Sequence, residues 1–173
     1  MRRLRRAMST MRERLHILDA RAPGDATQTV IARLGRLEAS TLASWGTMSA
    51  GGMVCHLTDT FRIMYGERSL TLADTLHTRR GIRRSVVKWI ALYVPVRWPH
   101  GLKTLSQVDQ DRDGTTPGDF ESDRDELVGF IERVAGGDLP SDLEHPYLGR
   151  LSAWEWRRWA YVHVDHHARQ FRL

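Results

Sequence analysis

The residues Ser152-Ala-Trp-Glu-Trp-Arg-Arg-Trp-Ala-Tyr-Val-His-Val-Asp-His-His-Ala-Arg-Gln-Phe171 carry one unbroken helical pattern. Ser152 and Glu155 form the S-x-x-E pair of a capping box, in which each side chain satisfies a backbone N–H of the first turn. Trp156, Trp159, Ala160, His163, His167 and Gln170 then recur at spacings of three and four, so they share one face. A face that is apolar at its start and rich in imidazole at its end buries against other helices.

Working outward, the same period recurs upstream. A helix is expected from about Asp25 to Ser44, with Val30, Leu34, Leu37 and Thr41 on one side. Ser49 is a suitable N-cap for a second helix from about Ala50 to Tyr65, and Gly66 a suitable terminator. Its stripe is Met53, His56, Leu57, Thr60 and Met64. A further helix is expected over Arg83 to Tyr93, before Pro95, Pro99 and Gly101 break the chain. Leu102 to Asp119 reads as a long polar loop with turn pairs Asp113-Gly114 and Pro117-Gly118. Another helix is expected from Asp123 to Ala135, with Leu127, Phe130, Ile131 and Val134 facing inward and Gly136-Gly137 ending it. No segment alternates as a strand does. The pattern is all-α, with four main helices, one added helix and a long crossover connection, and a helical bundle is its natural architecture.

Composition is that of an ordinary globular chain, with hydrophobic residues at 41% and charged residues at 27%, which excludes fibrous and disordered classes. Residues 1–23 read as a basic, poorly ordered lead-in, and residues 24–173 as a single domain. The net charge of +5 is concentrated there: Met1 to Arg14 holds six arginines against Glu13, with Met8 and Met11 as alternative starts. The rest of the chain is close to neutral, so nucleic acid is not the expected partner. The single cysteine, Cys55, precludes an intrachain disulfide. No apolar run reaches the roughly 18–20 residues that span a bilayer, and Met1 to Arg14 lacks the apolar core of a secretory signal. The expectation is a cytoplasmic protein that does not bind membranes.

The chemistry concentrates in histidine. His163 and His167 lie four apart on one helix, with Cβ atoms about 6 Å from each other, a spacing at which two imidazoles share one metal ion. Zinc needs such nitrogens at about 2.0–2.1 Å. His56 is the one histidine centred on the apolar stripe of another helix, which makes it the candidate third ligand. Three protein ligands leave a position open for water or substrate. His166 lies about 100° round the helix from His167 and competes as a ligand in place of His163 or His167. Asp59 and Asp165 are candidates to orient imidazole N–H groups. Cys55 reads as a buried, inert thiol. No catalytic or thiol-binding residue is singled out, since the chain has no nucleophile elbow, no phosphate-binding glycine loop and no C-x-x-C.

Taken together, Trp45-Gly46-Thr47-Met48-Ser49, Met53-x-x-His56, His145-Pro-x-x-Gly149 and His163-x-x-His-His167-x-x-Gln170-Phe171 resemble the DinB-like superfamily of bacillithiol- and mycothiol-dependent, YfiT-like proteins. The likeness covers about residues 25–173 and is nearest to an uncharacterised branch. It implies a four-helix bundle with a long crossover. It also implies a divalent metal, usually zinc and sometimes nickel, held at positions that match His56, His163 and His167. It further implies a homodimer and a low-molecular-weight thiol as co-substrate. The resulting expectation is a metal-dependent small-molecule transferase acting on an electrophile. The alternatives are a non-catalytic metal-binding or stress-associated bundle, and a surface binder that uses the basic lead-in with Arg83, Arg84, Lys88 and Arg97.

Overall fold

A computed structural model describes residues 23–70, 82–94, 97–102, 104–139 and 144–173. The lead-in over residues 1–22 lies outside them. The described residues form five α-helices and no strand. They are α1 (Pro23–Leu34), α2 (Ala50–Met64), α3 (Ile82–Tyr93), α4 (Phe120–Gly136) and α5 (Ala153–Gln170), with a short 3-10 turn over Ser106–Val108. The all-α class expected from the periodicity is therefore present.

Each boundary has a local cause. Ser49 caps α2 by accepting from the Gly52 N–H, and Gly66, at φ +72°, takes the left-handed conformation that ends it. Asp119 caps α4 through the Ser122 N–H, so the helix begins at Phe120, three residues before the expected start. The capping box of α5 forms as expected, with both reciprocal bonds between Ser152 and Glu155.

The first helix departs from expectation: it stops at Leu34 rather than near Ser44. Gly35 follows directly and contributes no side chain to hold the next turn. The chain tightens through bonds from Arg36 N to Arg33 O and from Leu37 N to Leu34 O. Leu37 still enters the core at 1% exposure, whereas Thr41 closes a separate turn with Glu38.

α1, α2, α4 and α5 pack against one another, and α3 packs on α5. Their shared core is Val30, Leu34, Met53, Leu57, Phe61, Leu127, Ile131, Trp156, Trp159 and Val164. Phe61 stacks on Phe130 and meets the edge of Trp159, joining α2, α4 and α5. Burial of this kind contributes roughly 1.5–3 kcal/mol per large side chain.

α3 is different. Among its described side chains only Leu92 is fully buried, while Val86, Val87, Trp89, Ile90 and Tyr93 are 44% to 59% exposed. Two of its cations turn inward instead: Arg84 pairs with Glu144 and donates to the His145 carbonyl, and Lys88 pairs with Glu155. No described helix is long and apolar enough to cross a membrane.

The expected polar loop after α3 is only partly polar. Leu105, Gln107 and Val108 are buried, and the 3-10 turn lies against α2. Asp59 of α2, 1% exposed, fastens the segment. It accepts from the Thr115 N–H at 2.7 Å and the Thr115 hydroxyl at 2.8 Å, and pairs with Arg62 and Arg68.

Candidate metal centre

The buried end of α5 faces the middle of α2, and there three histidines meet. The coordinating nitrogens of His56, His163 and His167 all lie within 4.8 Å of one another. This is the one such group of three or more His, Cys, Asp or Glu side chains among the described residues. His56 Nε2 stands 3.2 Å from His163 Nε2. The ring centroids are 5.3 Å apart for His56 and His163, 4.8 Å for His56 and His167, and 5.1 Å for His163 and His167.

Two rings have a fixed tautomer. His56 Nδ1 lies 2.8 Å from the Val108 carbonyl, which only accepts, so Nδ1 carries the proton and Nε2 the lone pair. His167 Nδ1 lies 2.8 Å from Gln170 Oε1. The Gln170 amide is itself oriented, because its Nε2 donates to the Trp45 carbonyl at 2.9 Å. His167 therefore also donates through Nδ1 and leaves Nε2 free to coordinate. The third ring, His163, sits between the indoles of Trp98 and Trp159.

Burial favours the neutral form of all three rings. It lowers His56 from the usual range and takes His167 down to about 3. His163 is held well below the usual range by burial first, then by His167 and His56. Neutral imidazole is the metal-ligating form. His56 presents its Nε2 lone pair to the Nε2 of His163, an arrangement that a shared cation or proton stabilises. On a tetrahedral ion, two imidazole nitrogens at zinc distance stand about 3.3 Å apart, close to the separation found here. The donor set therefore fits a divalent metal.

The other candidate residues have different places. His166 lies outside the group and faces Trp45, Trp98 and His100. Asp59 holds the segment around Thr115, as above, and Asp165 pairs with Arg33 and Arg169. The imidazole partners come instead from the Val108 carbonyl and Gln170. Cys55 is buried and donates to Asp123 at 3.7 Å. Burial, then Asp123, pushes its thiol up to about 12, so it is inert at neutral pH. His145 is structural: its Nδ1 accepts from the N–H groups of Tyr147 and Leu148, and a two-way backbone pair with Gly149 closes that turn.

Residues not foreseen as parts of the site are Val108, Trp98 and His100. A backbone carbonyl has no side-chain signature. Gln170 follows His167 by three positions, the spacing at which helical side chains meet, and that signal is present in the sequence. Compared with protein-family models, characterised proteins and solved structures, the chain matches none.

Proposed function

We propose that this chain is a divalent-metal-dependent transferase of small molecules, built as a four-helix bundle with a crossover in the DinB-like manner. The observation that supports it best is the convergence of three neutral imidazoles with two of the Nε2 atoms held inward through Nδ1. A bound zinc or nickel ion supplies Lewis acidity and makes a thiol or water nucleophilic near neutral pH. The protein's part is to hold and orient. Val108 and Gln170 fix two ring orientations, and the rings of Trp98 and Trp159 wall His163. A low-molecular-weight thiol is the co-substrate in this reading, and an electrophile the acceptor.

The reading includes a homodimer. Its support is the exposed side of α3, where Val86, Trp89, Ile90 and Tyr93 recur while Lys88 turns away to pair with Glu155. A two-fold contact requires a patch complementary to itself, and an uncharged apolar stripe meets that condition.

A second reading is a metal clip without catalysis. The burial of His56 and His167 favours it, since an ion there ties α2 to α5. Zinc- and nickel-loaded protein, assayed with a panel of thiols and electrophiles, separates the two. Thiol-dependent turnover that disappears in His56→Ala supports the transferase. A rise in Tm on loading with no turnover supports the clip.

A further inference from the structure

The three histidines of the centre are not equally buried. His56, His167 and Trp159 are buried, whereas His163 is only half-buried. On the His163 side stand Trp45, Trp98 and His166, also half-buried, and His100, which is exposed. They come from three separate segments, the turn before α2, the stretch after α3 and α5 itself, yet their rings are contiguous. Trp45 and His100 stack with centroids 4.1 Å apart and planes 7° from parallel. His166 lies 6.0 Å from both Trp45 and Trp98. Trp98 lies 5.6 Å from His163.

Trp98 is anchored through its indole N–H, and Trp45 through its backbone. Trp98 donates its N–H to the Ala91 carbonyl at 3.1 Å. The Trp45 backbone is tied to α5 by Gln170, and its neighbour Ser44 donates to the Gln170 carbonyl from both N and Oγ. Asp165, the acid nearest in sequence, is engaged by Arg33 and Arg169. These walls are therefore π faces held in place. A flat apolar group gains offset or edge-to-face contact there in addition to its burial, whereas a small aliphatic group gains little.

We propose that Trp45, Trp98, His100 and His166 form a substrate mouth that selects molecules carrying a planar aromatic group next to the atom that reaches the histidine centre. This rests on the metal-site reading above, and the test separates the two. Benzohydroxamate and acetohydroxamate share a chelating head and differ in phenyl against methyl. Each is titrated calorimetrically into zinc-loaded full-length protein, with its affinity for free zinc measured in parallel.

After that correction, benzohydroxamate is expected to bind at least about tenfold tighter. The ratio is expected to fall below about threefold in Trp98→Ala and in His100→Ala, and to persist in Trp98→Phe. His100 is exposed, so its variant keeps the fold. Equal affinities in the wild type, or a ratio indifferent to these variants, would overturn the mouth while acetohydroxamate binding left the metal site standing. Failure of both hydroxamates, or of zinc loading, would overturn the metal reading and the mouth with it.

Discussion

Gln170 donates its amide N–H to the Trp45 carbonyl at 2.9 Å, and that single bond decides which end of the amide His167 meets. Reversing the amide would set oxygen against oxygen and N–H against N–H. The turn before α2 therefore orients a histidine on α5. Gln170→Leu removes both bonds. Zinc affinity measured by competition with a chelator is expected to fall by about 10- to 100-fold, with the helical content unchanged. Undiminished affinity would remove Gln170 from the site.

Gly46 lies against the same amide. It sits at φ +75°, and a Cβ there would stand 3.1 Å from Gln170 Nε2. Gly46→Ala combines left-handed strain of about 1–2 kcal/mol with displacement of that amide. Both Tm and zinc affinity are expected to drop. A fall in Tm alone would show that the Trp45–Gln170 link tolerates the methyl group.

Asp59 acts on the His56 ring through the segment between α3 and α4. It fixes Thr115, and the same segment carries the Val108 carbonyl that orients His56. Asp59→Ala leaves the Thr115 N–H and two arginines without their shared acceptor. Urea unfolding is expected to show a loss of about 2–4 kcal/mol, of the size seen when one partner of a buried ion pair is removed. Zinc affinity falls as well. A loss under about 1 kcal/mol would mean that the segment is held by its apolar residues.

Much of this was legible in the sequence, for identifiable reasons. The caps at Ser49 and Ser152 and the stripes of α2 and α5 follow from local rules, and they alone place His56, His163 and His167 on inward faces. The end of α1 was not legible, because Leu37 keeps its helical spacing and its burial after the helix has stopped. The Val108 carbonyl was not legible either, since any residue type offers one. Asp59 looked like an imidazole partner because it lies three residues beyond His56, but its position on α2 aims it at Thr115. The inverted polarity of α3 depends on Glu144 and Glu155, which are distant in the sequence, so periodicity alone points its apolar face the wrong way.

Acid should destabilise the metal-free protein. His145 is held at about 3 by burial first, then by the Arg84 guanidinium, and an unfolded histidine titrates near 6.5. With the folded value below the unfolded one, the unfolded chain takes up the proton first. Stability is therefore constant above about pH 6.5 and falls as pH drops towards 3, by about 1.4 kcal/mol per unit for this one group. His145→Asn keeps an acceptor for the N–H groups of Tyr147 and Leu148 but does not titrate. Its unfolding free energy between about pH 6.5 and 5 is expected to change by about 2 kcal/mol less than that of the wild type. Equal slopes would contradict the assignment.

The exposed stripe of α3 makes its own prediction. Trp89→Glu places like charges opposite each other across a two-fold contact. Light scattering after size exclusion is expected to show a dimer for the wild type and a monomer of unchanged helicity for the variant. A wild-type monomer at about 100 μM would contradict a dimer, since specific interfaces normally persist there.

Metal content tests the centre itself. Untagged wild type and the variants His56→Ala, His163→Ala and His167→Ala are incubated with zinc or nickel at neutral pH, desalted and measured by mass spectrometry. About one divalent ion per chain in the wild type, lost in each variant, is expected from three converging neutral imidazoles. A wild type that retains neither ion, or a His56→Ala variant that keeps full occupancy, would contradict the three-histidine centre.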